Sequence, residues 1–200
     1  MKHLETAEIA KLLSDGGVGV ECCRHLAERC EVCGQRLAEV EALLKRFRHW
    51  DAETVSREGP AAEVLFETLL DQGKDLAGWA SLVEGDEDYQ TWGVAWVALE
   101  GAQKLIAEGA TRSQARDLAL LAAAIAEHLG DSYGPETVAD LKALAYATAA
   151  AAKAGDIAGT VRQVAAAMKA LEEGTGDPAV AGEVMGFLSQ VFREASERKP

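Results

Sequence analysis

The four cysteines of the chain are Cys22, Cys23, Cys30 and Cys33, and residues 34–200 contain no thiol. Thiols that staple a fold are spread across it, whereas this cluster has the composition of a metal site in a reducing compartment. Zinc takes four soft or borderline ligands in a tetrahedron, and a Cys-x-x-Cys pair can place both sulfurs on one ion. Cys30 and Cys33 supply that pair. His25, five residues before Cys30, can face them from the last turn of a preceding helix. A closed site needs a fourth ligand, and His3 is the first choice, presented by an opening helix that folds back across Gly16-Gly17. Cys22 is the second, three residues before His25 and so on the same helical face. Cys23 points about 100° away from Cys22 and is the weakest choice. A redox dithiol would share the Cys-x-x-Cys spacing but expects a βαβ neighbourhood, and inert structural cysteines would not be gathered in this way.

The elements that must position these ligands are helices. Apolar residues recur at helical spacing almost throughout, and β-branched alternation between turns is hard to find, so the chain reads as all-α. Thr6 marks an N-cap for a first short helix carrying Ile9, Leu12 and Leu13, which ends at Gly16-Gly17. A second helix is expected over about 18–29. A third follows the cysteine pair, with the stripe Leu37, Val40, Leu43, Leu44 and Phe47, and reaches about His49. Residues 1–50 thus form a small three-helix module. The polar stretch 51–60, with Gly59-Pro60, is expected to be a linker to a larger helical domain over 61–200.

In that domain, helices are expected over about 61–72, 76–83, 89–108, 113–129, 136–154, 157–173 and 180–197. Breaks at Gly85-Asp86, 130–135, Gly155-Asp156 and 174–178 separate them. Helices alternating with short Gly- and Asp-rich turns suggest stacked hairpins. Residues 141–173 resemble one tetratricopeptide unit, with small residues at Ala147, Ala150 and Ala151, a turn at Gly155-Asp156, and then Val164 and Ala167. Residues 96–129 fit more loosely, through Ala115, Ala119 and Ala122. Alanine rows let paired helices approach closely, and each hairpin must then bury its remaining apolar face on a neighbour. An alanine-rich bundle is the simpler alternative, since alanine is the best helix former.

The N-terminal quarter resembles the zinc-binding anti-sigma factor family. The similarity lies in His3-Leu4, Leu12-Leu13, the Gly16-Gly17 break and, above all, His25-Leu26 through Cys30 and Cys33 to Leu37. By position, the resemblance implies a structural zinc held by His3, His25, Cys30 and Cys33. It departs from the family in having four residues rather than three between His25 and Cys30. The implied role is that of a bacterial regulator that sequesters a sigma factor, a protein with basic surfaces for DNA. The alternative is a tetratricopeptide-like scaffold for another protein partner, in which the zinc is purely structural. Trp79, Trp92 and Trp96 could line its binding surface, although tryptophans at helical spacing are more often core.

Charge and composition narrow the function classes. A net charge of −13 argues against a broad surface for nucleic-acid phosphates and favours basic partners. The longest apolar run, Leu118 to Ala126, is far short of the roughly 20 residues that cross a bilayer, and no signal-like segment opens the chain, so a cytoplasmic location is expected. No enzyme is expected. His49 and His128 lack a nucleophile at helical spacing, glycine-rich phosphate loops are absent, and residues 84–88 read as a solvated turn and helix start rather than a calcium loop. Four protein ligands on zinc would also leave no open position for a substrate.

Overall fold

In the structure, a computed structural model, the residues described are 5, 8–9, 11, 13, 30–46, 52–130, 133–152 and 156–197. Among them every regular element is helical. The helix expected over 18–29 lies outside the described residues, as does residue 51 of the expected linker. The chain divides into two compact units, Met1–Ala61 and Ala62–Pro200.

In the first unit the described part of the opening segment is helical at residues 8, 9, 11 and 13. Its first turn is closed by Ile9 N–H donating to the Glu5 carbonyl at 3.0 Å, while Glu8 accepts from the Glu5 N–H at 2.8 Å. This return contact is one half of a capping box and places the cap one residue before the expected Thr6, which itself lies outside the described residues. Helix α1 is Glu31–Arg46. Its inward face is Cys33, Leu37 and Val40, all buried at the i, i+4, i+7 spacing of one helical side.

Helix α2 is Ala52–Gln72, so the segment expected to link two domains is helical from Ala52 onward, with Pro60 inside it. A proline within a helix removes one backbone hydrogen bond and crowds the preceding turn, a cost of about 3 kcal/mol. Burial overrides that local signal. Thr54, Glu58, Ala62, Phe66 and Leu69 are all buried and follow one another along a single side of the helix, while Pro60 is on the exposed side.

The second unit continues with α3 (Leu76–Gly85), a short 3-10 turn at Glu87–Tyr89, α4 (Trp92–Ala107), α5 (Arg112–His128), α6 (Pro135–Ala152), α7 (Ile157–Glu173) and α8 (Pro178–Glu197). The helix expected to begin at Tyr89 begins at Trp92 instead. Thr91 caps it by accepting from the Val94 N–H at 3.3 Å, and Asp86 caps the 3-10 turn by accepting from the Asp88 N–H at 3.0 Å. The Thr91 cap thus starts the helix three residues later than periodicity alone reads it and leaves Tyr89 in the 3-10 turn.

Successive helices pack in pairs, α4 on α5, α5 on α6 and α6 on α7, while α8 returns to α6 rather than stacking mainly on α7. Helix α6 is therefore the centre of the unit. Ala143, Ala145, Ala147, Ala149, Ala150, Ala151 and Ala152 are buried on it, and a helix with little projecting side chain can be approached closely from several sides. Larger residues fill the remaining space, among them Trp92, Leu99, Leu121, Ile125, Leu144 and Leu188.

A polar clamp fixes the turn between the last two helices. Asp140, buried on α6, accepts from the Thr175 backbone N–H at 3.2 Å and from the Thr175 hydroxyl. The chain passes so near that a Cβ at Gly174 would collide with the Asp140 carboxylate, so glycine is the residue that fits there.

Candidate metal centre

Cys30 immediately precedes α1 and occupies its N-cap, its carbonyl receiving the N–H of Gly34 at 2.9 Å. Cys33 lies in the first turn. The pair therefore opens the helix, whereas the sequence was expected to place it before the helix began. Glu31 in the first turn is the local signal for that start, since a carboxylate there meets the positive end of the helix dipole.

Helical spacing brings residues three apart to one side, and the Cys33 side chain lies within hydrogen-bonding reach of the Cys30 sulfur. Cys33 is 6% exposed, anchored in the same row as Leu37 and Val40, whereas Cys30 is half-buried. One sulfur is thus fixed by packing and the other stands at the helix end. The N–H of Cys33, donating to the Cys30 sulfur, is the largest influence holding the Cys30 thiol below its ordinary pKa. Desolvation opposes it, while the Cys33 side chain, the N–H of Val32 and the Arg36 guanidinium add to the lowering. Thiolate is the form that binds a soft metal, and this helix start favours it at Cys30.

A tetrahedral zinc site needs four donors, and two sulfurs at one helix end fit two of its corners. His3, His25, Cys22 and Cys23 lie outside the described residues. Among the described residues no group of three or more His, Cys, Asp or Glu side chains stands close enough to hold a metal. The described donors thus fit zinc as half of a site. The opening segment meets α1 through Arg36 and Glu5, 3.9 Å apart, an exposed pair worth a fraction of a kcal/mol.

Two of the tryptophans are core residues. Trp92 is almost fully buried and stacks on Trp96 with ring centroids 5.2 Å apart and planes 26° from parallel. Both serve the core of the second unit, and Trp79 is half-buried with its indole against Gly73. The Nε1 atoms of Trp79 and Trp96 are buried without a hydrogen-bond partner among the described residues, although a buried indole N–H usually finds one. His128 is exposed in the last turn of α5, and His49 lies outside the described residues. Neighbouring Glu127 is bound at 2.8 Å by Lys142 of α6. Burial first, and the Glu127 charge second, push the Tyr146 hydroxyl above its ordinary pKa.

No described helix is long and apolar enough to cross a membrane. No family model matches this chain, and no curated protein or solved structure is significantly similar to it.

Proposed function

We propose that this protein is a non-catalytic, protein-binding regulator whose N-terminal unit is completed by one structural zinc, and that its partner is a sigma factor held away from its target. The observation that carries the zinc is the Cys30/Cys33 pair at the start of α1, one sulfur anchored in a buried row and the other held below its ordinary pKa. His25 and His3 would complete the coordination, with Cys22 in place of His3 as the alternative. Zinc would supply a cross-link between short helices that bury little surface on their own. The net charge of −13 supports a basic partner, attracted and oriented before close packing sets affinity.

A second role, that of a tetratricopeptide-like scaffold, is favoured by the way α4 to α7 pack as successive pairs around an alanine-rich centre. Co-purification from the native cell separates the two. Recovery of a sigma factor, lost when Cys30 and Cys33 are both replaced by serine, supports sequestration. Recovery of a different single partner that persists in the same double variant supports the scaffold.

A further inference from the structure

Helices α4 to α7 stack as hairpins, the second helix of the first pair lying on the first helix of the next. Continued stacking would lay α8 on α7. Instead α8 lies chiefly on α6, with Val180, Val184, Leu188 and Val191 buried at spacings of four, four and three. Its flanks reach further back along the stack. Glu183 accepts from the Gln103 amide of α4 at 3.0 Å, and Glu194 stands 3.8 Å from Arg112 at the start of α5. A single row of apolar anchors laid on the face of other helices is the way amphipathic helical peptides occupy grooves.

The face that stacking would have covered is open on α7. Gly159, Ala167 and Ala170 are its buried residues. At about 100° per residue, Ile157, Val161, Val164 and Met168 fall roughly 130° round the helix from them. Ile157 is 81% and Val161 62% exposed. The row from Ile157 to Met168 is as long as the row from Val180 to Val191, so α8 fits it end to end. The turn between the two helices contains Gly174 and Gly176, the latter with a φ of 77°, a backbone freedom that suits a hinge. Asp140 of α6 holds that turn through the Thr175 N–H and hydroxyl, and so fixes the start of α8 in its observed place.

We propose that α8 is an autoinhibitory helix: it holds the α6 side of the stack against a partner's amphipathic helix, and when that helix takes its place, α8 turns about Gly174 and Gly176 onto the open face of α7. The partner is specified by α8 itself, an apolar row at spacings of four, four and three with a flanking carboxylate near each end to meet Gln103 and Arg112. Covering Ile157, Val161 and Met168 offsets the burial that α8 gives up on α6, so the exchange runs between two covered states. The proposal rests on the scaffold reading for the existence of a partner. Its test does not, because the probe is a peptide of α8.

The test is titration of the zinc-loaded full chain with a fluorescein-labelled peptide of residues 178–197, followed by anisotropy and by methionine methyl NMR. Met168 reports on the α7 face. Apparent affinity scales with the fraction of molecules whose α6 side is free, and two lost hydrogen bonds raise that fraction at least about tenfold. Asp140→Ala should therefore bind the peptide at least about tenfold more tightly than wild type. In the complex, the Met168 methyl should be shielded from a soluble gadolinium chelate that broadens it in the free protein. Glu183→Ala combined with Glu194→Ala releases α8 from α4 and α5 without touching the turn or the buried row, and should tighten binding about fivefold. An affinity no greater than wild type in folded Asp140→Ala, or in the glutamate variant where Asp140→Ala does not fold, overturns the proposal. So does a complex in which Met168 stays as open to the chelate as before, since α8 would then not have moved onto α7.

Discussion

The two units place different chemistry in their interiors. The described core of Ala62–Pro200 is largely hydrocarbon, with tryptophan, leucine and isoleucine packed around a helix of alanines and with Asp140 and Thr148 as its described buried polar residues. The described buried side chains of Met1–Ala61 include a thiol, a hydroxyl and a carboxylate, at Cys33, Thr54 and Glu58, beside Ile9, Leu37 and Val40. Apolar burial stabilises by about 25 cal/mol per Å² and needs no external partner. Small units that bury polar groups need a further source of stability, and coordination of a metal can provide it. The first unit should therefore respond to metal and the second to packing.

The largest expected effect breaks the comparison from the metal side. Purification without chelator should give about one zinc per chain, and Cys30→Ser with Cys33→Ser should abolish it. The lost coordination is worth on the order of 10 kcal/mol in small zinc modules, so the helicity of residues 1–61 should fall while the second unit keeps its amide-exchange protection. Full zinc content in the double variant would remove the site. His3→Ala should lower zinc affinity more than Cys22→Ser, and the opposite order would exchange the fourth ligand.

From the packing side, Leu121 is fully buried on α5. Leu121→Ala should destabilise the second unit by about 3 kcal/mol, through lost burial and the cavity left behind, without changing zinc stoichiometry. Calorimetry with parallel metal analysis measures both, and zinc lost together with Leu121 would show one cooperative unit instead of two.

A smaller effect sharpens the comparison within the second unit, where Asp140 is a buried polar group in a hydrocarbon core. Asp140→Ala removes the acceptor for Thr175 N–H and hydroxyl and should cost about 2 kcal/mol. Denaturant melting at neutral pH detects it, and an unchanged midpoint would show that water satisfies the turn equally well.

The smallest effect concerns Cys30. Because its folded pKa is depressed, the stabilisation of its thiolate is present at pH above the unfolded thiol value and is lost as pH falls through the folded one. In zinc-free protein, iodoacetamide should consequently label Cys30 at lower pH than it labels a thiol in an unfolded peptide. Arg36→Gln should move that labelling profile upward while changing stability by less than about 0.5 kcal/mol, since the Arg36–Glu5 pair is exposed. A profile unmoved by the substitution would leave the backbone N–H groups as the source of the lowered pKa.

Much of the helical plan was legible in the sequence, because long periodic segments ended by Gly, Asp or Pro carry their own boundaries. The span 157–173 was expected and found, and α5, α6 and α8 begin within two residues of expectation. Residues 51–60 misled because Gly59-Pro60 is a local break signal, whereas the continuous buried row from Thr54 to Leu69 exists only once the helix has something to pack against. The Cys-x-x-Cys spacing was legible as paired donors. That Cys30 caps a helix was not, since the cap depends on which residue opens α1.

By itself the sequence determined that this chain is helical, acidic and thiol-bearing only near its N-terminus, because periodicity, net charge and cysteine positions are properties of residue order and type. Tertiary structure alone decided which side of each helix is inside. In α7 the same pattern offers a row of Ile157, Val161 and Met168 and a row of Gly159, Ala167 and Ala170, and hydrophobicity favours burying the first. The second is buried because α6 is itself an alanine surface, and two helices of small residues approach more closely than a large apolar row would allow.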